Sequence, residues 1–463
     1  MKKNAIFTMI LAVIFSLVFV TCDDPVKSTS NKSGTSEAPV FTSISAVSDY
    51  LSRHTGGRTA KNPIFLTINI NLGDTQSESS GWGQLLATIG STGKYVNLDL
   101  SPCKMNSTSF YSPNASTLSA GKERIVSIVL PNVARSIGDN AFGGVLSDES
   151  AHHYHISSRY IVLESVSSQS VTSIGDNAFS TCSALQSVNF PAAISIGDYA
   201  FTNSYLRSAN FPAAISIGNY AFGGCGVLQS INFPEVISIG DWAFASCVNL
   251  GSLGNLLSAK FPAAISIGDY AFLNCVKLLS VNFPATISIG DYAFAISPYM
   301  YEDNRLYSIT SSRIPLHVTN FPAATSIGGY AFQYRRLERI NFSAVTYIGD
   351  NAFNESRFEE EMNFPAVTYI GTGAFTRSGG TSNRVITMGS NAPLLGPVVS
   401  GSFTTIRVPQ GAIGYGSIPA RYSGSDVTVN WGNGFRGKGW NGTDFVDENA
   451  AYGTVSFDIK YIE

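Results

Sequence analysis

Alternating apolar and polar positions recur along this chain in blocks so alike that they read as one phrase. In SVNFP (187–191), Val188 and Phe190 alternate with Ser187 and Asn189, the period of a strand with one buried face. Pro191 has no N–H to give a ladder and closes the strand. ISIG follows, with Ile194 and Ile196 expected inward and Gly197 expected at positive φ. Asp198 is placed to cap a short helical turn by accepting from an N–H two or three residues on. Phe179, Cys182 and Leu185 lie three apart, which aligns side chains on one face of a 3₁₀ turn. Each block therefore predicts strand, bend, short strand and tight helical turn.

The block repeats. Ten copies of Ile-Gly-x-x-Ala-Phe end at Phe142, Phe179, Phe201, Phe222, Phe244, Phe272, Phe294, Phe332, Phe353 and Phe375, most of them 21 or 22 residues apart. A strand Phe precedes eight of these by 11 residues without exception: Phe190, Phe211, Phe233, Phe261, Phe283, Phe321, Phe342 and Phe364. All length variation falls on the other half of the coil, in insertions at about 145–159, 247–257 and 296–316. A period near 22 lies in the leucine-rich-repeat range. No single coil buries its own Phe and Ile residues, but stacked coils share one continuous core. The expected fold is a leucine-rich-repeat solenoid of parallel β-sheet coils, about 50 Å long at the usual strand spacing.

The ends differ. Val47 and Leu51 give 45–53 a helical pattern, 64–70 reads as a strand, and 82–89 and 96–100 repeat helix then strand. This predicts an α/β N-terminal cap over 41–120, since solenoid ends need polar covers. The solenoid is expected over 121–380. Beyond Gly380 the motif vanishes, and glycine-rich, Thr/Val-rich sequence predicts a β-rich C-terminal module over 381–463.

The pattern L-x-S-V-N-F-P…I-S-I-G-D-Y-A-F-x-x-C resembles the bacterial BspA-like, treponemal-type leucine-rich repeat family. The resemblance covers roughly Ile125 to Phe375. KYVNLDLSPC (94–103) is similar to the family's repeat-leading region, and the ending with VTVNWGNGFRGKGW (427–440) is similar to modules that follow such repeats. The resemblance implies a cell-surface or secreted protein that binds host or microbial macromolecules.

The first residues add an address. Lys2 and Lys3 precede sixteen uncharged, mostly apolar residues, Ala5 to Val20, too short a run to span a bilayer and matching an export signal. Cys22 follows, and the segment resembles a lipoprotein signal peptide (1–22) that lipidates this Cys. Phe19, Val20 and Thr21 depart from the usual residues before such a Cys, so ordinary cleavage and free secretion stays open. Residues 23–40, DDPVKSTSNKSGTSEAPV, read as a flexible tether. A lipid is then the expected membrane anchor. Formal charge is −3, with no clustered basic face, so no nucleic-acid partner is expected.

Candidate chemistry is sparse. No G-x-S-x-G elbow or phosphate-cradling G-x-x-x-x-G-K-(S/T) occurs, GNGFRGKG (432–439) lacks a strand-then-helix setting, and no enzyme or cofactor is expected. The Asp column (Asp139, Asp176, Asp198, Asp241, Asp269, Asp291, Asp350) supplies one carboxylate per coil, and Asn219, Gly329 and Thr372 replace it. That tolerance suits capping better than calcium. Cys182, Cys225, Cys247 and Cys275 each stand three after a repeat Phe with no C-x₂-C pair, which favours buried thiols over zinc. HHYH (152–155) lacks partners for a metal, and none is expected.

Binding is the remaining chemistry. Asn precedes the strand Phe in seven of eight coils, Asn189, Asn210, Asn232, Asn282, Asn320, Asn341 and Asn363, with Lys260 the exception. This predicts an outward amide face, either a stabilising ladder or a surface that meets a partner. Tyr199, Tyr220, Trp242, Tyr270, Tyr292 and Tyr330 form an aromatic column that is either structural or a platform. The third insertion carries Tyr299, Tyr301, Arg305 and Tyr307, residue types that recur as binding anchors. Three functions stay open: a non-enzymatic, adhesin-like surface protein binding extracellular proteins or glycans, a carbohydrate-associated surface lipoprotein, and a structural surface antigen.

Overall fold

The computed structural model describes residues 39–113, 118–143, 162–248, 258–297, 299–302, 305–308, 314–359, 362–376, 378, 385–390, 394–395, 405–409, 427–431 and 455–462. Cys22 with its leader, the tether up to Ala38, HHYH, the first insertion and GNGFRGKG lie outside them; the end of the expected tether, Val40, belongs to the first strand.

Two columns of parallel strands run through the molecule. The side sheet has twelve two-residue strands in unbroken order, from Ser109–Phe110 through Ser195–Ile196 to Leu394–Leu395. The front column carries the Ser-x-Asn strands, such as Ser187–Asn189 and Ser280–Asn282, in four consecutive stretches. Register is strict: Ser195 pairs with Ser216, Ser216 with Ser238, and Ser238 with Ser266. A third ladder links the turns, where alternate N–H groups donate to the next coil: Tyr199 to Asn219 O, Phe201 to Ala221 O and Asn203 to Gly223 O, at 2.7–2.9 Å.

Both Phe columns are buried. Turn rings stack in parallel, Phe222 on Phe244 at 5.2 Å and Phe244 on Phe272 at 5.2 Å. The insertions leave the stack undisturbed. Phe294 and Phe332 are 38 residues apart, yet their rings stack at 5.4 Å. Extra chain leaves the coil and returns without separating its neighbours.

The two ends join the same architecture. Val40–Phe41, Ile64–Ile68, Val96–Asp99 and Ile125–Val129 pair in parallel and lead directly into Ser165–Ser167 and Ser187–Asn189. Helices Ile44–Arg53 and Gly81–Thr92 connect the first of these strands. Their N-caps are Ser43 Oγ, accepting from Ala46 N–H, and Ser80 Oγ, accepting from Gly83 N–H. Gly93 ends the second helix at φ 63°. Past 380 the described elements are strands, as a β-rich C-terminal module requires, and they continue the front and side columns. Met362–Phe364 pairs with Val385–Met388, which pairs with Thr405–Pro409, then Val455–Ile462, all parallel. Antiparallel Val427–Trp431 lies at the edge. Strand pairing is a backbone interaction, so coils without the Ile-Gly-x-x-Ala-Phe motif still add to the stack. Among the described residues no helix is long and apolar enough to cross a membrane.

Five local expectations are corrected. Ile194 points outward, because the chain bends between it and Ser195, and both N–H groups reach Thr172 O; only Ile196 is buried. Gly197 does not take positive φ. A Cβ there would stand 2.5 Å from Asp176 Oδ1 and 2.8 Å from Asp176 N, so close coil approach excludes a side chain. The left-handed residues are Tyr199 (φ 57°) and Asn203 (φ 55°), and they interrupt any helix. The segment is instead a run of turns, with Thr202 N–H on Tyr199 O and Ser204 N–H on Phe201 O. Asp198 does not cap its own turn: its Oδ1 accepts from Asn219 N–H in the next coil at 2.7 Å. Finally, Ile296 and Leu316 are buried and Ile314–Asn320 is a strand, so the third insertion narrows to 297–313.

The position three after each repeat Phe closes the core. Cys225 Sγ donates to Phe201 O at 3.1 Å, Cys247 to Phe222 O at 3.2 Å and Cys275 to Phe244 O at 3.1 Å. All five described cysteines are buried. Burial pushes the Cys275 thiol up to about 12, which keeps it protonated and unreactive. Ser356 Oγ makes the equivalent bond to Phe332 O. Arg335 does the same from the coil after the third insertion. Fully buried, its Nε donates to Phe294 O at 2.7 Å and its Nη2 reaches Cys275 O at 3.0 Å. Burial lowers this guanidinium to about 10.

Candidate functional site

With inward positions committed to the core, candidate binding groups lie at outward positions, which the register aligns into rows along the axis. On the front sheet, Asn189, Asn210, Asn232, Asn341 and Asn363 are exposed, and Asn282 and Asn320 half-buried. Nδ2 of Asn232 donates to Oδ1 of Asn210 at 2.8 Å. Asn320 donates to Asn282 at 2.6 Å and Asn341 to Asn320 at 3.1 Å. Five of the seven thus form two amide ladders. Asn189 pairs across the sheet with Ser167, and Asn363 with Thr387. A primary amide has two donors and two acceptor lone pairs, so a ladder leaves groups on each Asn directed to solvent.

The aromatic column is a continuous stack. Ring centroids from Tyr199 through Tyr220, Trp242, Tyr270 and Tyr292 to Tyr330 lie 4.1–5.3 Å apart, with planes within 8°. Inner ring faces are therefore covered by neighbouring rings, and the stack offers edges and phenol hydroxyls. A sugar that stacks on an aromatic needs an open face. Each of the six residues has φ of 54–58°, uncommon for a bulky side chain.

Beside the rings runs the Asp row. Asp241 N–H donates to Asn219 Oδ1, Asp269 N–H to Asp241 Oδ1 and Asp291 N–H to Asp269 Oδ1, at 2.7–2.8 Å. One oxygen per carboxylate is committed to an amide. Among the described residues no metal-holding group of three His, Cys, Asp or Glu forms. Burial, then the charges of Asp291 and Asp269, raise the Tyr270 phenol above its ordinary value, which keeps it a donor.

Two features were not anticipated from sequence. The first is the exposed Ile row of the side sheet, legible only as the Ile two residues before the Ile of Ile-Gly in five consecutive coils. The second is a charged patch on Ile314–Asn320, Arg335–Asn341 and Arg357–Phe358. His317 Nδ1 lies 2.5 Å from Glu338 Oε2, Arg336 Nη2 is 2.6 Å from Glu338 Oε1, and Arg357 Nε is 2.8 Å from Glu359 Oε1. The hydrogen bond with His317, with Arg336 adding to it, holds the Glu338 carboxyl below the usual carboxylate value against the opposing effect of burial.

The third insertion contains an antiparallel hairpin, Tyr299–Glu302 with Arg305–Ser308. Its register does not group the four anchor residues. Tyr299 and Tyr301 pair with Ser308 and Leu306, whereas Tyr307 and Arg305 pair with Met300 and Glu302.

A family model for the BspA type leucine rich repeat region matches residues 116–194, 158–255 and 252–382, in six copies. The chain belongs to the BspA-type leucine-rich repeat family. Among solved structures, this BspA-type chain is similar to the pneumococcal vaccine antigen PcpA, at 17% identity over 62% of this chain and 79% of that one, with a TM-score of 0.31. It is similar also to a leucine-rich repeat protein from Bacteroides ovatus, at 18% identity over 65% and 83%, TM-score 0.29. A leucine rich cell surface protein from Faecalibacterium prausnitzii matches at 20% identity over 62% and 82%, TM-score 0.27. No curated protein matches.

Proposed function

We propose that this BspA-type repeat protein is a non-enzymatic, adhesin-like binding protein, exported by its leader and held at the cell surface by lipid on Cys22. It engages extracellular proteins or glycans through its solenoid face. The supporting observation is the continuous stack of turn Phe rings, with strand Phe rings stacked beside it from Phe211 to Phe364, which makes a long scaffold with polar groups repeated at the strand spacing. Such a surface suits an extended macromolecule. The Asn face (Asn189 to Asn363) is the first candidate surface. The hairpin with Tyr299, Tyr301, Arg305 and Tyr307 is the second, because loops on rigid scaffolds commonly carry binding.

Binding of the purified protein to extracellular-matrix proteins and to a glycan array tests the reading. Retention of one class, reduced in an Asn210→Ala/Asn232→Ala/Asn320→Ala variant, supports the Asn face. Replacing 297–313 with a short turn asks the same of the hairpin. Radiolabelled fatty acid entering the wild type and not Cys22→Ala supports the anchor; equal labelling removes it.

A further inference from the structure

Ile194, Ile215, Ile237, Ile265 and Ile287 occupy the same position in five consecutive coils, each 44–48% exposed. In the flanking coils the position is Thr172 on one side and Thr325, Thr346 and Thr368 on the other. There Thr is at least as good for the fold. Thr346 Oγ1 donates to Thr325 O and Thr368 Oγ1 to Thr346 O, each at 3.0 Å, bonds that Ile cannot make. Both residues are β-branched, so strand preference does not separate them. The aromatic row changes in nearly the same place. Tyr199, Tyr220, Trp242, Tyr270 and Tyr292 share coils with the five Ile, and the stack ends at Tyr330. Asn177 and Asn351 hold the position outside, at φ 54° and 55°, a conformation Asn adopts more easily. The same fold is built in both regions, so the core does not require the isoleucines.

We infer that these five coils form a docking strip for a basic amphipathic helix of a partner protein. Strand spacing makes the Ile row about 19 Å long, the length of roughly 13 helical residues. The apolar face of such a helix covers the Ile ridge. Asp198, Asp241, Asp269 and Asp291 line the other end of the same short strands, each four residues from its Ile and no more than about 14 Å away by chain reach. Among the described residues none of them takes part in an ion pair; the ion pairs there belong to the His317–Glu359 patch. A cationic flank on the helix complements them. This inference rests on the protein being a binding scaffold, and it uses a surface distinct from the Asn face.

Fluorescence anisotropy with a labelled 18-residue Leu/Lys amphipathic peptide tests it, beside a Leu/Glu peptide of the same pattern and a scrambled Leu/Lys peptide. The purified protein should bind the Leu/Lys helix saturably and at least tenfold more tightly than either control. Ile215→Thr/Ile237→Thr/Ile265→Thr should weaken it tenfold or more. Asp241→Asn/Asp269→Asn/Asp291→Asn, which retains the amide ladder as Asn219 does, should weaken it several-fold and reduce its salt dependence. Asn210→Ala/Asn232→Ala should leave it unchanged. Equal binding by the Ile variant, or equal affinity for the scrambled or Leu/Glu peptide, overturns the proposal. So does a wild-type dimer that becomes monomeric in the Ile variant, since that assigns the strip to a second copy. Those outcomes leave the matrix and glycan assays with the Asn variants to judge the general binding reading separately.

Discussion

Coils 265–270 and 346–351 have nearly the same interior and different exteriors. Inside, Ile267 matches Ile348 and Phe272 matches Phe353, all buried. Phe272 stacks on its neighbours at 5.2 Å, and Phe353 at 5.5 and 5.3 Å. Outside, Ile265 becomes Thr346, Ser266 becomes Tyr347 and Tyr270 becomes Asn351. Tyr270 and Asn351 nevertheless share a left-handed backbone, at φ 58° and 55°. Inward positions and backbone are set by stacking, whereas outward positions are free to vary by region.

The largest effect should come from the shared interior. Phe272→Ala and Phe353→Ala should each cost about 3–5 kcal/mol, read by urea denaturation. Tolerance at one and not the other would mean that the two regions do not share a core. Next come the glycines. A Cβ at Gly268 would meet Asp241 Oδ1 at 2.5 Å and Gly240 C at 2.6 Å, and one at Gly349 would meet Gly328 C at 2.7 Å. Rigid backbone is the obstacle in both, so Ala at either should cost about 1–3 kcal/mol.

A smaller effect belongs to the Asp ladder. Asp269→Ala leaves Asp291 N–H without its acceptor and should cost about 1 kcal/mol, seen as faster hydrogen exchange of that amide. Asp269→Asn should preserve most of the protection, because Asn219 already performs this role. Equal exchange in both variants would show that the ladder is incidental.

Smallest is the pH response of the charged patch. The carboxyl of Glu338 is depressed by its hydrogen bonds with His317 and Arg336. Its contribution is therefore present above the unfolded value near 4.3 and lost as pH falls through the lower folded value. Glu338→Gln should remove that part of the acid-limb stability change. An unchanged acid limb would show that the pair contributes nothing in solution.

How much of this was legible in sequence follows from where each interaction is made. The 11-residue half-coil and the two Phe columns were readable, because burial imposes one residue type on every layer. So were the helices 44–53 and 81–92, whose apolar spacing is periodic. What escaped was whatever depends on the neighbouring coil. Asp198 has a capping residue's local context but bonds upward, and Gly197 is excluded from having a side chain by the coil beneath it. Ile194 looks inward by alternation until the bend before Ser195 turns it out. Arg335 sits in a column of Cys and Ser, and only the chain's departure after Ile296 accounts for its long reach to Phe294 O and Cys275 O. Among the candidate site residues, the Asn row was readable as a row, but its split into two ladders depends on strand pairing.

Thermal unfolding of one multiple variant tests the central claim, that the interior alone specifies this solenoid. In it, Ile215, Ile237 and Ile265 become Thr while Tyr220, Trp242 and Tyr270 become Asn, which gives the central coils the exterior of the flanking ones. Lost ring stacking is offset by easier left-handed backbone and new Thr hydroxyl bonds. The account predicts a transition of unchanged shape, with Tm within a few degrees of wild type. A Tm lower by 10 °C or more, or loss of the cooperative transition, would contradict it and make the outward strip part of what holds the fold together.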